Sequence, residues 1–162
     1  MEQTRVQVIP GTVGRVALVR LRRNTDLVTG LSEACKQAGF KMASVQMMIG
    51  SLRSAEISWT KSSPLTKRGS ERTKPQYIPG PVEFIAGQAQ ICLVDPERPV
   101  FHVHGVLTDS DGKAWGGHFF QGGNPIHSTM DVVMTEIQGA YMKWFHDEEI
   151  DLELPVPCER AD

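Results

Sequence analysis

His102, His104 and His118 fall within one glycine-punctuated stretch, Val100 to Gly123, and are three of the five histidines in the chain. Imidazole is the commonest protein ligand for transition metals, so a spacing that gathers three rings is a candidate metal site. Phe101, Val103 and Leu107 alternate with His102, His104, Val106 and Thr108, the period of a strand with one apolar face. Asp109, Ser110, Asp111, Gly112 and Lys113 then read as a three-residue hairpin loop. Ser110 and Asp111 make a type I turn, and Gly112 takes the left-handed position that glycine occupies cheaply. With Asp109 and Lys113 flanking the loop, His104 is expected opposite His118, and His102 opposite Phe120. Three imidazoles then share one face, while Phe101, Val103, Leu107, Trp115 and Phe119 share the core face.

Residues two apart on a strand lie about 7 Å apart and opposed pairs about 5 Å, so three rings can meet one ion through bonds of about 2.0–2.1 Å. A register slip of one residue would send His118 to the apolar face and leave a polar cleft with no ion. Three neutral histidines leave a fourth position for water, the arrangement of catalytic zinc. Nickel, copper and iron accept the same donors. Glu83 lies among apolar residues, where an ionised carboxylate needs a partner. It is expected either to support a ligating histidine or to serve as general acid and base; the alternatives are a rim glutamate or an ion pair with an arginine.

Several elements must position these residues. Arg15 to Arg22 alternates, with Val16, Leu18, Arg20 and Arg22 on one side and Ala17, Val19 and Leu21 on the other, as in a strand near a solvated edge. From Asp26 to Ala38, the apolar positions Leu27, Leu31, Ala34, Cys35 and Ala38 predict a helix with one buried stripe. Asn24 or Thr25 is expected to cap it, Asp26 to meet the positive end of its dipole, and Gly39 to end it. Ala43 to Leu52 and Ser54 to Thr60 read as two strands joined by a tight reversal at Ser51 to Ser54. Lys61 to Pro81 reads as the least structured segment, a mobile basic loop in which Lys61, Lys67, Arg68, Arg72 and Lys74 outnumber Glu71. Val82 to Val94 returns to strand character, Asp95 to Pro99 is a turn, and Ser128 to Ile137 is a long strand. After Gly139, Tyr141, Trp144 and Phe145 can dock the tail while Asp147, Glu148, Glu149, Asp151 and Glu153 stay in water, or the tail can seal a subunit contact.

The His-Val-His pair, an Asp- and Gly-rich turn, and Gly-Gly-His followed by Gln-Gly-Gly resemble the motif of the plants and prokaryotes conserved (PPC) domain, also called DUF296. Val19 to Leu27 resembles the opening strand and helix start of that family, Ile49 to Ile57 its next strand pair with the Gly-Ser-Leu turn, and Gly80 to Ile85 the segment that contributes a family glutamate. Thr25 stands where the family usually has Glu, and the segment after Glu83 is shorter than typical. The resemblance implies a compact α/β (α+β) domain with a mixed, mostly antiparallel sheet and one main helix, similar to acetolactate decarboxylase and assembled as a homotrimer. In that enzyme an H-x-H pair and a later histidine hold zinc, which implies zinc at His102, His104 and His118 here.

At 162 residues with a formal net charge of -2, the chain fits one domain and carries no bulk electrostatic push toward nucleic acid or anionic lipid. The expected division is a lead-in over 1–14, the domain over 15–154 and a tail over 155–162. Cys35, Cys92 and Cys158 are scattered and odd in number, which suggests neither a disulfide framework nor a cysteine metal site and fits the cytoplasm. No segment approaches the length of a membrane helix. Three functions are in play: a metal-dependent protein that binds or acts on a small carboxylate or keto acid, a DNA-binding protein, or a protein-interaction module. The DNA reading lacks an AT-hook core of the Arg-Gly-Arg-Pro type, and its only candidate surface is the basic loop from Lys61 to Lys74.

Overall fold

Apolar alternation dominates the chain, and the computed structural model, which describes residues 5–95 and 98–159, is accordingly built mostly of strands. In order they are β1 (Thr12–Arg22), α1 (Leu27–Ala38), β2 (Ala43–Ser58), β3 (Thr60–Ser62), β4 (Ser70–Arg72), β5 (Gln76–Asp95), β6 (Arg98–Thr108), β7 (Ala114–Phe119), β8 (Ile126–Gln138), β9 (Tyr141–Asp147) and β10 (Leu152–Cys158). Part of the expected lead-in, of the turn Asp95 to Pro99 and of the tail lies outside the described residues. One sheet runs β1-β8-β2-β7-β6-β5-β9-β10, and β2 also pairs with β5. The strands β2, β7, β6 and β5 therefore close on one another. The β5–β9 contact is parallel and the other pairings are antiparallel. This is the mixed, mostly antiparallel sheet with one main helix that the sequence leads one to expect. Among the described residues no helix is long and apolar enough to cross a membrane.

The core fills the space enclosed by the curved sheet and under α1. Phe84 meets Phe119 edge-on at 5.2 Å between ring centroids, and Leu27, Leu31, Met48, Ile57, Ile91 and Leu107 are fully buried around them. The helix buries Leu27, Val28, Leu31 and Cys35. Its cap is Asp26 rather than Asn24 or Thr25: Asp26 Oδ1 accepts from the Thr29 amide at 3.0 Å and Oδ2 from the Asn124 amide at 3.1 Å. Asn24 is drawn away, its Oδ1 accepting from Arg53 Nη1 at 2.7 Å. Gly39, at φ 67°, ends the helix and donates to the Cys35 and Lys36 carbonyls.

Two further expectations are corrected. β2 is one strand from Ala43 to Ser58, with no reversal at Ser51 to Ser54. The polar run instead absorbs bulges, with register shifts between Leu52 and Ser54 against β5 and between Gly50 and Leu52 against β8. The Arg53 amide turns to the Pro125 carbonyl at 2.8 Å, a local bend of the kind bulges produce. Gly50 is required there, because a Cβ would sit 2.1 Å from the Thr129 carbonyl oxygen. The basic segment after Thr60 is also ordered in part. Thr60, Lys61 and Ser62 pair with Arg72, Glu71 and Ser70, and Lys61 bonds Glu71 at 2.9 Å across the pair. Three-residue strands are too short to show a period, so composition alone misreads them.

Candidate metal centre

β6 and β7 carry the three histidines, and their register is set at the loop between them. The Asp109 amide donates to the Lys113 carbonyl at 3.0 Å, the Gly112 amide donates to the Asp109 carbonyl at 3.0 Å, and Gly112 has φ 77°. Asp109 locks this turn from inside. Its Oδ1 accepts from the Asp111 and Lys113 amides at 3.1 and 2.9 Å, and its Oδ2 accepts from Trp115 Nε1 at 2.8 Å. The Trp115 bond, followed by the two amides, holds the Asp109 carboxyl below its usual range. The consequence is the expected register, with His104 directly opposite His118. Phe101, Val103, Leu107 and Phe119 are buried on the other face, which forces the imidazoles outward.

The three rings converge. His102 Nε2 lies 3.0 Å from His104 Nε2, the ring centroids are 4.8 to 5.3 Å apart, and one nitrogen from each ring falls within 4.8 Å of the others. β7 can come this close to β2 because Gly117 has no side chain; a Cβ there would stand 2.3 Å from the Ser58 carbonyl oxygen. Trp144 of β9 flanks His102 at 6.0 Å and Phe120 flanks His118 at 4.9 Å.

Burial sets the charge state. It lowers the pKa of His118 to about 3, with Arg72, His102 and His104 adding to the effect. It also lowers His102, helped by His104 and Arg72, and His104, helped by Arg72. All three are neutral at physiological pH, with lone pairs available.

A divalent ion fits this donor set. Tetrahedral bonds of about 2.0–2.1 Å space the nitrogens roughly 3.3 Å apart, so the His102–His104 pair is near that spacing already. Among the described residues His118 Nδ1 is buried without a hydrogen-bond partner, an orphaned polar atom whose lone pair an ion or a water would satisfy.

Other expected residues stand elsewhere. Glu83 pairs with Thr108 on β6 and Ser51 on β2, exposed in a separate cleft of about 360 Å³ that also holds Asp109 and His127. It does not join the imidazoles. The residues of β5 opposite His104 and His102 are Gln88 and Gln90, which line a cleft of about 360 Å³ with the two histidines. Arg72 and Trp144 border the centre on the other side. Arg72 lay in the basic run, but only the β3–β4 pairing brings it here.

The sequence model of the Plants and Prokaryotes Conserved (PCC) domain matches residues 9–138. The chain belongs to the PCC domain family. A metal-containing protein from Archaeoglobus fulgidus has the same PCC fold at a TM-score of 0.76 and 25% identity, covering 93% of this chain and 99% of that one. A plant- and prokaryote-conserved protein from Pyrococcus horikoshii superposes at 0.72 with 21% identity, over 92% and 97% of the two chains. A Ralstonia eutropha JMP134 protein, provisionally described as DNA-binding, superposes at 0.65 with 20% identity, over 85% and 88%. Among curated proteins, the bifunctional protein GlmU of Synechococcus sp. (strain JA-3-3Ab) is 26% identical over 132 residues, 82% of this chain but 19% of that protein. This PCC chain thus spans about a fifth of the length of that relative.

Proposed function

We propose that His102, His104 and His118 hold a divalent metal, zinc by preference, in a cleft where a small carboxylate or keto acid binds or reacts. The observation that carries this reading is the convergence of three neutral imidazoles, His102 and His118 half-buried and His104 exposed, with the buried Nδ1 of His118 unpartnered among the described residues. The Archaeoglobus fulgidus relative, itself metal-containing, supports it. A bound ion would supply Lewis acidity toward a carbonyl or carboxylate oxygen. The chain's own part is to keep the rings neutral by burial, to aim them with the Asp109 turn, and to leave one side open to a ligand.

The protein is expected to work as a homotrimer. Val16, Leu18, Met47, Ile49, Ile85 and Val106 leave apolar side chains in water, Leu18 at 85% exposure, and exposed apolar faces of this kind mark protein contacts. Cys35 and Cys92 are buried thiols, which suits the reducing cytoplasm. The test is the metal content of untagged protein purified under zinc-replete conditions, beside His104→Ala. Near-stoichiometric metal in the wild type and its loss in the variant are expected; no metal in the wild type overturns the reading.

A DNA-binding role is the second reading, favoured by relatives of this fold provisionally described that way. Its surface would be the hairpin cations Lys67, Arg68 and Arg72, repeated by an oligomer. Duplex binding that strengthens at low salt and vanishes when all three become Ala would support it; no binding at low salt would remove it.

A further inference from the structure

A cleft of about 210 Å³ adjoins the histidines on the β3–β4 side, and Arg68, Arg72, His102 and Trp144 all line it. The two lysines of this hairpin are engaged: Lys61 pairs with Glu71, and Lys67 Nζ donates to the Glu148 carbonyl. Arg72 is different. Among the described residues its one hydrogen-bond partner is Ser58 Oγ, at a marginal 3.5 Å, and no carboxylate lies within ion-pairing distance. Among the described residues Arg68 spends only its Nε, on the Ser70 carbonyl at 2.7 Å. The acidic side chain lining the cleft, Glu153, leans instead toward His146 Nδ1 at 3.9 Å.

Charge then decides what the cleft takes. Three neutral imidazoles contribute nothing against the charge of a divalent ion, and Arg72 adds a further positive charge beside it. Two like charges in a partly desolvated site repel unless an anion lies between them. A guanidinium with unused donors in a fork matches the two oxygens of a carboxylate or phosphate.

We infer that Arg72, with Arg68 beside it, is the oxyanion-recognition site for the ligand of the three-histidine centre. The ligand is a small molecule with an anionic head on Arg72 and a donor oxygen directed at His102. The cleft is smaller than a drug-sized pocket, which sets the ligand's scale. This rests on the metal reading for its coupling, but the arginine site can be tested apart from it.

Glycolate and inorganic phosphate are titrated calorimetrically into zinc-loaded and metal-free protein, as wild type, Arg72→Ala and Arg72→Lys, with zinc affinity measured separately. At least tenfold tighter anion binding is expected in the zinc form of the wild type. Arg72→Ala should lose tenfold or more of it, and Arg72→Lys should recover only part, because an ammonium lacks the fork. Zinc binding by Arg72→Ala in the absence of anion should be equal or tighter, which shows that the fold and centre are intact. Preference for glycolate assigns a carboxylate head, and preference for phosphate a phosphorylated one. Zinc uptake with anion affinity unchanged within threefold in Arg72→Ala overturns the inference and leaves the metal reading standing. If the wild type takes no zinc, the metal reading fails by itself and the metal-free titration decides. Anion binding that Arg72→Ala abolishes upholds the arginine site; binding indifferent to Arg72, or none, overturns it.

Discussion

Replacing His118 by Leu separates what its ring costs the metal-free fold from what it contributes as a ligand. The ring is partly buried, its Nδ1 has no hydrogen-bond partner among the described residues, and a buried unsatisfied polar atom costs about 1–3 kcal/mol. Partial exposure puts His118 at the low end, about 1 kcal/mol, which a Leu of similar volume relieves. For a chain of this length, 1 kcal/mol moves Tm by about 2–4 °C, so in chelator the variant should melt about 2–4 °C above wild type. Metal reverses the order. Zinc at one hundred times its Kd stabilises by about 2.7 kcal/mol, or about 5–11 °C, and the variant, left with two ligands, gains little of this. In zinc the wild type should therefore melt roughly 3–7 °C above the variant. The measurement is a pair of melting curves for each protein, in chelator and in excess zinc. Two results would refute the reasoning: a variant that melts below wild type in chelator, or one that zinc stabilises as strongly as wild type.

Three more outcomes are expected. In metal-free protein the His118 pKa of about 3 lies below its ordinary 6.5, so the unfolded chain takes up the proton first; Tm should fall as pH drops from 6.5 toward 3, and more steeply in wild type than in His118→Leu, as melts at pH 8 and 5 would show. Gly117→Val places a side chain 2.3 Å from the Ser58 carbonyl and should cost more than about 2 kcal/mol by urea denaturation, with loss of the three-ring geometry. Asp26→Ala removes the acceptor for the Thr29 amide and should cost about 1 kcal/mol by the same assay, with Asp26→Ser restoring most of it.

Much of the centre was legible because it is local. Asp109, Gly112 and Lys113 specify one turn, the turn specifies one register, and Phe101, Val103, Leu107 and Phe119 leave the histidines a single outward face. The helix was legible for the same reason, since Leu27, Leu31 and Cys35 lie on one stripe and Gly39 marks its end. Its cap was not, because the choice between Asn24 and Asp26 depended on Arg53 and Asn124, far along the chain.

Long-range strand pairing decided the rest. Ser51 to Ser54 has the composition of a reversal, yet β5 and β8 hold it as a bulged continuation of β2. Arg72 sits in a segment that composition assigns to loop, and a three-residue pairing on β3 carries it to the cleft beside His102. Glu83 reads as a partner for the histidines, but the β5–β6 register sets it against Thr108, four residues along the strand from His104. By itself the sequence determined which side chains face which way along each strand, because that follows from a two-residue period and a turn. Only the tertiary structure decided which charges meet across the centre, because that depends on how distant strands align, and no local pattern encodes that alignment.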